Sequence, residues 1–476
     1  MRPTGISRGT ALKIVAVGWA LLLGGRVWAQ EQGHGGDFRL IGTGGCTAAN
    51  CHARPAGEDQ KQLSYHAGNE YGIWLHRDPH AKAYAVLDSA ASRGMAKRLG
   101  LESAKTAKVC LACHSTLSKA ELDATQGVFE NGLKHDPGRR AQLRDGVSCE
   151  ACHGPAEQWL QPHKQAGWRN VINLEHVGFQ DNRDTSIRAQ ACVSCHVGGP
   201  GRDVDHDLIA AGHPRLTFEL AAYHRQYVQH WPNDKTGDSA ELWKVGQKES
   251  ALAALEQLRQ RATPTGGKPV TPWIAKAHAD LGLPGAAETP WPEFSELSCY
   301  ACHHDLAQPS WRQARPGGSA GVAEWGSWTF ALWPTLARNL AQPEIETGLL
   351  NLGRMVNDPS VARDSVAAEA AKLRDLVKSV DLKSANLASG WLTGPEGVPV
   401  REWDHAAQVV LALEASRPDW GTSLRAARRR LLFPQSGKKG FNSPRDFGGE
   451  GGPLTLEQFE ALRAEWAQQP QNPPAK

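Results

Sequence analysis

All ten cysteines of this 476-residue chain fall in pairs that end on a histidine. Cys110, Cys113 and His114 (CLACH), Cys149, Cys152 and His153 (CEACH), Cys192, Cys195 and His196 (CVSCH), and Cys299, Cys302 and His303 (CYACH) each read Cys-x-x-Cys-His. Cys46, Cys51 and His52 (CTAANCH) form a looser version with four residues between the thiols. The chemistry this suits is covalent attachment of a c-type haem. Two thiols three positions apart can form thioethers to the two vinyl groups on one edge of a porphyrin. The histidine that follows then lies under the macrocycle and binds iron through a neutral nitrogen. In the Cys46 motif both sulfurs still reach one edge, with the extra residues looped out. Five motifs imply five covalent haems, with no cysteine left for a disulfide or a free nucleophile.

Two other uses of paired cysteines fit less well. Half a zinc site can be built from Cys-x-x-Cys, but zinc does not require a histidine directly after the second thiol every time. Disulfides between cysteines three apart would close strained loops and leave the histidines unexplained.

Each iron takes a sixth ligand or leaves one face open. Methionine raises the potential of a haem it binds, yet beyond the first residue the chain has only Met95 and Met355. Of nineteen histidines, fourteen lie outside the motifs. Histidine on both faces of most irons, and therefore low potentials, is the expected pattern. The distal candidates are His80, His163, His213 and His230, with His206 behind them. His34, His66, His135, His278, His304 and His405 read as structural or exposed, and spacing alone does not choose among His206, His213 and His230.

The elements that must position these residues are helical. A stretch from Tyr71 to Leu87 carries His76 and His80, with Pro79 opening its second half at a first helical turn. Ser89 to Lys108 is a small-residue helical run leading to Cys110. In DHDLIAAGHPRLTFELAAYHRQYVQHW, from Asp205 to Trp231, the Gly212-His213-Pro214 turn breaks the helix and aims His213 from an end. A second helix spans about Leu216 to Gln229, with His224 and His230 on it or just after. Lys248 to Ala262 is amphipathic through Leu252, Leu255 and Leu258. Beyond His303 there is no cysteine and one histidine after His304, His405. Helices are expected there at about Trp328–Ala341, Pro359–Val380, Glu402–Ala415, Thr422–Leu432 and Leu456–Gln468. The last of these has Thr455 and Gln458 in a capping-box pattern. No segment alternates like a strand, so the fold class is mainly α: a loop-rich, haem-packed core plus a haem-free helical segment. The expected divisions are a signal peptide (1–29), a pentahaem domain (30–310), a linker (311–327) and the C-terminal helices (328–476).

At the N-terminus Arg2, Arg8 and Lys13 precede an apolar run, Ile14 to Gly25, and Val27-Trp28-Ala29 ends in a small residue. That run is too short to span a bilayer and reads as a cleavable secretory signal. The mature chain is therefore expected in the periplasm, with no membrane-spanning segment. The formal charge of +3 reflects this leader. Residues 1–29 hold four bases (Arg2, Arg8, Lys13, Arg26) and no acid, which leaves 49 bases against 50 acids in the remainder. A chain near neutrality has no electrostatic footprint for nucleic acid.

The motif run in residues 46–303 resembles the multihaem cytochromes of the cytochrome c554 family, related to hydroxylamine oxidoreductase and pentahaem nitrite reductase. The stretches that carry the resemblance are DPHAKAY around His80, GVSCEACHGP at the third motif, His163 after it, and AGHPRL at His213. The resemblance implies that His80 crosses to the iron on His153 and His163 to the iron on His52. It also implies that His213 or His230 completes the haem on His196, and that the haem on His114 can lack a sixth ligand. A four-residue gap in the first motif and the presence of a fifth motif depart from the family pattern, and no partner for His303 transfers.

The function these features favour is periplasmic electron transfer, between a quinol-linked donor and a terminal reductase or oxidase, through closely packed and mostly bis-histidine haems. The alternative is an enzyme acting on a small nitrogen or sulfur compound at a five-coordinate haem on His114, with His135, Arg139 and Arg144 as candidate side chains over it. Absence of Cys-x-x-Cys-Lys argues against a lysine-ligated site of the nitrite reductase kind. The C-terminal helices read as a cap over haem edges or a docking module, and Arg428-Arg429-Arg430 as a solvated face or a propionate-pairing patch.

Overall fold

The computed structural model describes residues 38–54, 64–232, 238–263, 291–303, 311, 322–382, 390–394, 397–431 and 454–470. The expected signal peptide, much of the expected linker, His34, His278 and His304 lie outside these residues. Among the described residues the chain is helical and loop-rich, with two isolated bridges and no strand. No helix among them is long and apolar enough to cross a membrane.

The tight motifs sit on helices: Lys108–His114, Cys149–His153, Thr185–His196 and Cys299–His303. A helical turn puts residues three apart on one face and the next residue beside them, so each pair of thiols shares a side. The Cys46 motif directly follows a 3₁₀ turn, Thr43–Gly45, and runs as turns rather than helix. Four intervening residues do not fit one helical turn.

The region between the first two motifs is less continuous than its periodicity suggests. Helix α1 (Glu70–Arg77) stops at Asp78, where the backbone is extended. Pro79 disfavours helical geometry in the residue before it and opens a 3₁₀ turn, Pro79–Lys82. Asp78 caps that turn by accepting the His80 N–H. Helix α2 (Ala90–Arg98) follows, capped by Ser89.

After the fourth motif, a short helix over His206–Ala210 ends at the Gly212 turn, where φ is +113°. Helix α3 (Leu220–Gln226) is shorter than its pattern, and helix α4 (Ser239–Ala262) is longer. Helix α4 is buried on several faces because it packs against the fourth-motif helix on one side and the helix Arg363–Ser379 on the other. The C-terminal part contains α5 (Pro343–Asn357), α6 (Arg363–Ser379), α7 (Trp403–Ser416), α8 (Gly421–Leu431) and α9 (Leu456–Ala467). Helix α5, with Pro343 at its first turn, lies between two of the expected helices and was not itself expected from the sequence. Thr455 and Gln458 do form a capping box on α9.

The C-terminal helices are not laid onto the motif region from outside. One apolar core joins Val193 of the fourth-motif helix, Phe218, Trp243 and Tyr300 of the fifth motif to Val410, Leu424 and Phe459. A second joins Leu255 and Leu258 of α4 to Trp333, Leu352 and Leu373. Smaller clusters pack Leu111 and Ala112 with Phe129 and Leu143 near the second motif, and Trp159 with Trp168 near His163.

Candidate redox centre

Four motif histidines each stand across from a histidine outside the motifs. The ring centroids are 6.3 Å apart for His52 and His163, 6.3 Å for His114 and His213, 6.3 Å for His153 and His230, and 6.1 Å for His196 and His80. A metal–imidazole bond is about 2 Å and the ring centre lies roughly 1 Å past the nitrogen, so two imidazoles on opposite faces of one ion have centroids about 6 Å apart. At that spacing the facing nitrogens are too distant to hydrogen-bond each other and leave room for a single ion between them.

The far sides of the rings support the same reading. Nδ1 of His52 donates to Glu70 Oε2 (3.1 Å) and Nδ1 of His80 to Asp78 Oδ1 (2.9 Å). His114 donates to the Ala83 carbonyl (2.9 Å), His163 to Leu160 (2.5 Å) and His213 to Pro214 (2.8 Å). An imidazole whose Nδ1 is committed outward presents Nε2 as its free lone pair, the usual arrangement of a metal-bound histidine. Burial pushes His153 and His196 down to about 4, which keeps them neutral and able to ligate. These residues fit an iron porphyrin gripped from both faces, with the paired thiols beside each site.

Residues 46–154 match the family model described as cytochrome c554 and c-prime. This segment is of cytochrome c554 type. It spans the first three motifs and His80, ending directly after His153. No curated protein and no solved structure matches the chain.

Within and beyond the c554-type segment, the pairing differs from the one the resemblance implies. His80 lies against His196 rather than His153, His230 takes the place at His153, and His213 stands at His114 rather than His196. The reason is tertiary. The His80 carbonyl accepts the Val147 N–H (3.1 Å), and a side chain on Gly146, whose φ is +69°, would come within 2.7 Å of that oxygen. The His80 turn is thereby clamped beside the third motif, with Tyr227 between His80 and His230 (5.9 and 6.3 Å). With His213 opposite His114, an open iron at that position has no support. Arg139, a candidate side chain for it, is held by Glu121 (2.6 Å).

His206 meets Phe294 (5.6 Å) instead of a motif imidazole, and its N–H bonds to Glu293. His405 is buried, bonded through Nδ1 to the Pro399 carbonyl. His303 is exposed, and among the described residues no second imidazole faces it. Sequence reasoning did not single out Glu70, Asp78 or the aromatic wall of Trp159, Trp168 and Phe179 around His153 and His163. The acid two places before His80 was a visible signal for Asp78.

The sites adjoin one another. The Cys46 thiol is in hydrogen-bonding range of Cys149, and Cys113 of Cys195. Cys152 feels both Cys192 and Cys195. The four paired sites therefore form one row in the order His52, His153, His196, His114. Arg215, two residues past His213, reaches within 4.0 Å of the Cys299 sulfur and connects the fifth motif to the row.

Proposed function

We propose that this chain is an exported, periplasmic electron carrier holding five covalent haems, four of them bound by histidine on both faces. The observation that carries the reading is the set of four imidazole pairs at 6.1–6.3 Å. A haem, when bound, supplies reversible one-electron chemistry at iron. The chain's residues do the rest. Ten thiols would anchor the macrocycles, and eight imidazoles in four facing pairs would hold the metal positions. Carboxylates and peptide carbonyls lock the ring tautomers, Trp159 and Trp168 wall His163, and Phe179 stacks on His153. A contiguous row of such sites suits passage of single electrons between a quinol-linked donor and a terminal acceptor. The C-terminal helices, sharing a core with the fourth and fifth motifs, read as a structural cap rather than a detachable docking module.

The test is an electron paramagnetic resonance (EPR) spectrum of the oxidised protein, integrated against haem content, with the mass of the intact chain to count haems and locate the N-terminus. Five haem masses and four haems' worth of low-spin signal support the carrier. A high-spin signal equal to two or more haems, or fewer than four haem masses, overturns it.

A further inference from the structure

Glu70 and Asp78 are the two carboxylates bonded to imidazoles of the row. Glu70, at the first position of α1, spends one oxygen on the Gly68 N–H (3.1 Å) and the other on His52 Nδ1 (3.1 Å). Asp78 is 1% exposed and holds both the N–H (3.0 Å) and the Nδ1 (2.9 Å) of His80. Burying a carboxylate costs several kcal/mol unless a partner compensates, so its position against a ring nitrogen is a specific one. The imidazoles at His114 are placed differently: both donate to neutral peptide carbonyls. His230 Nδ1 is buried with no partner at all.

A ring N–H donated to an anion gives the imidazole more electron density than one donated to a carbonyl, and a more basic ligand favours the ferric over the ferrous ion. We propose that Glu70 and Asp78 are positioning residues that set potentials, lowering the sites of His52 and His196 beneath those of His114 and His153. The inference rests on the haem reading above and goes beyond it, because a carrier requires only that the sites conduct, not that two be held low by named acids. Alternating low and high sites along the row makes the two higher ones the favoured positions of the first two electrons.

The site of His52 can be followed alone. Its two ring planes are nearly parallel (13°), the orientation of a coplanar ligand pair, whereas the other three pairs cross at 69–88°. Coplanar and crossed imidazoles give low-spin ferric signals of different shape, so a redox titration of the holo-protein monitored by EPR isolates the His52 site. In Glu70→Gln, which keeps the hydrogen-bonding shape and removes the charge, that signal's midpoint is expected to rise by about tenfold in the reduction equilibrium, or about 59 mV for one electron. Glu70→Asp should bring it back toward wild type. Asp78→Asn, which retains the turn cap, should raise one crossed-ring signal and leave the coplanar one in place. A coplanar signal present in Glu70→Gln with an unmoved midpoint overturns the inference while leaving the haem reading intact. Absence of any bis-imidazole low-spin signal in the wild type overturns both.

Discussion

His213 stands across from His114 with ring centroids 6.3 Å apart and planes at 88°. Gly212, at φ +113°, turns the chain out of the His206–Ala210 helix, and the Pro214 carbonyl fixes the ring through Nδ1. The position at which a reactive, open iron would be sought is therefore closed by a residue with its own support. Replacing His213 with Gly is expected to convert one haem from low-spin to high-spin and to let nitric oxide or added imidazole bind there. Wild type should show neither change at that site. The measurement is spin quantitation by EPR with and without the added ligand, and a variant that remains low-spin without added imidazole would contradict the assignment.

The angles between paired rings predict the shape of the oxidised spectrum. In one pair, His52 with His163, the ring planes are nearly parallel at 13°, and the pairs at His114, His153 and His196 lie at 88°, 69° and 81°. One ordinary rhombic low-spin signal and three strongly anisotropic ones are expected. His163→Met should remove the rhombic signal selectively. Loss of an anisotropic signal instead would mean that His163 serves another iron.

The motif cysteines and histidines stand out in the sequence because each motif is a fixed local spacing. His80, His163, His213 and His230 are legible too, since a histidine at a helix end or turn in a methionine-poor chain is a natural candidate ligand. Which histidine meets which motif is not written locally. The sites adjoin one another, and the choice falls to contacts such as Gly146 against the His80 carbonyl or Tyr227 between His80 and His230. The share that the C-terminal helices take in the core was likewise invisible: Tyr300 and Val410 are more than a hundred residues apart, and no periodicity links them.

The joint between the fifth motif and α7 makes a stability prediction. Arg215 and Asp404 form a two-bond ion pair (2.5 and 2.8 Å), nearly enclosed, with Ser327 also donating to Asp404 and the Tyr300 ring beside the guanidinium. Removing one partner of a buried pair leaves an uncompensated charge and costs about 3–5 kcal/mol. Asp404→Asn should lower stability by that order in guanidinium unfolding. The double variant Arg215→Met, Asp404→Leu should recover much of the loss, because it buries no charge. Equal destabilisation of the single and double variants would show that packing, not charge, holds the joint.

Glu219 gives the fold a dependence on pH near the His196 site. It caps α3 by accepting the N–H groups of Ala221 (2.9 Å) and Ala222 (2.7 Å), and it follows Phe218, whose ring stacks on His196 at 5.3 Å. Burial pushes its carboxyl up to about 7 in spite of those two bonds, against about 4.5 for an ordinary glutamate. Below 4.5 the group is protonated in both the folded and the unfolded chain, and above 7 it is ionised in both. In between the unfolded chain has released a proton that the folded chain retains, so the contribution to stability falls as pH rises through that window. Glu219→Gln has no proton to release and should flatten the profile. Measured by guanidinium unfolding, the stability of wild type minus that of the variant should drop by on the order of 2 kcal/mol between pH 4.5 and pH 7.5. Parallel profiles would mean that the Ala221 and Ala222 amides hold the carboxylate ionised throughout, and that the helix N-terminus outweighs burial at this position.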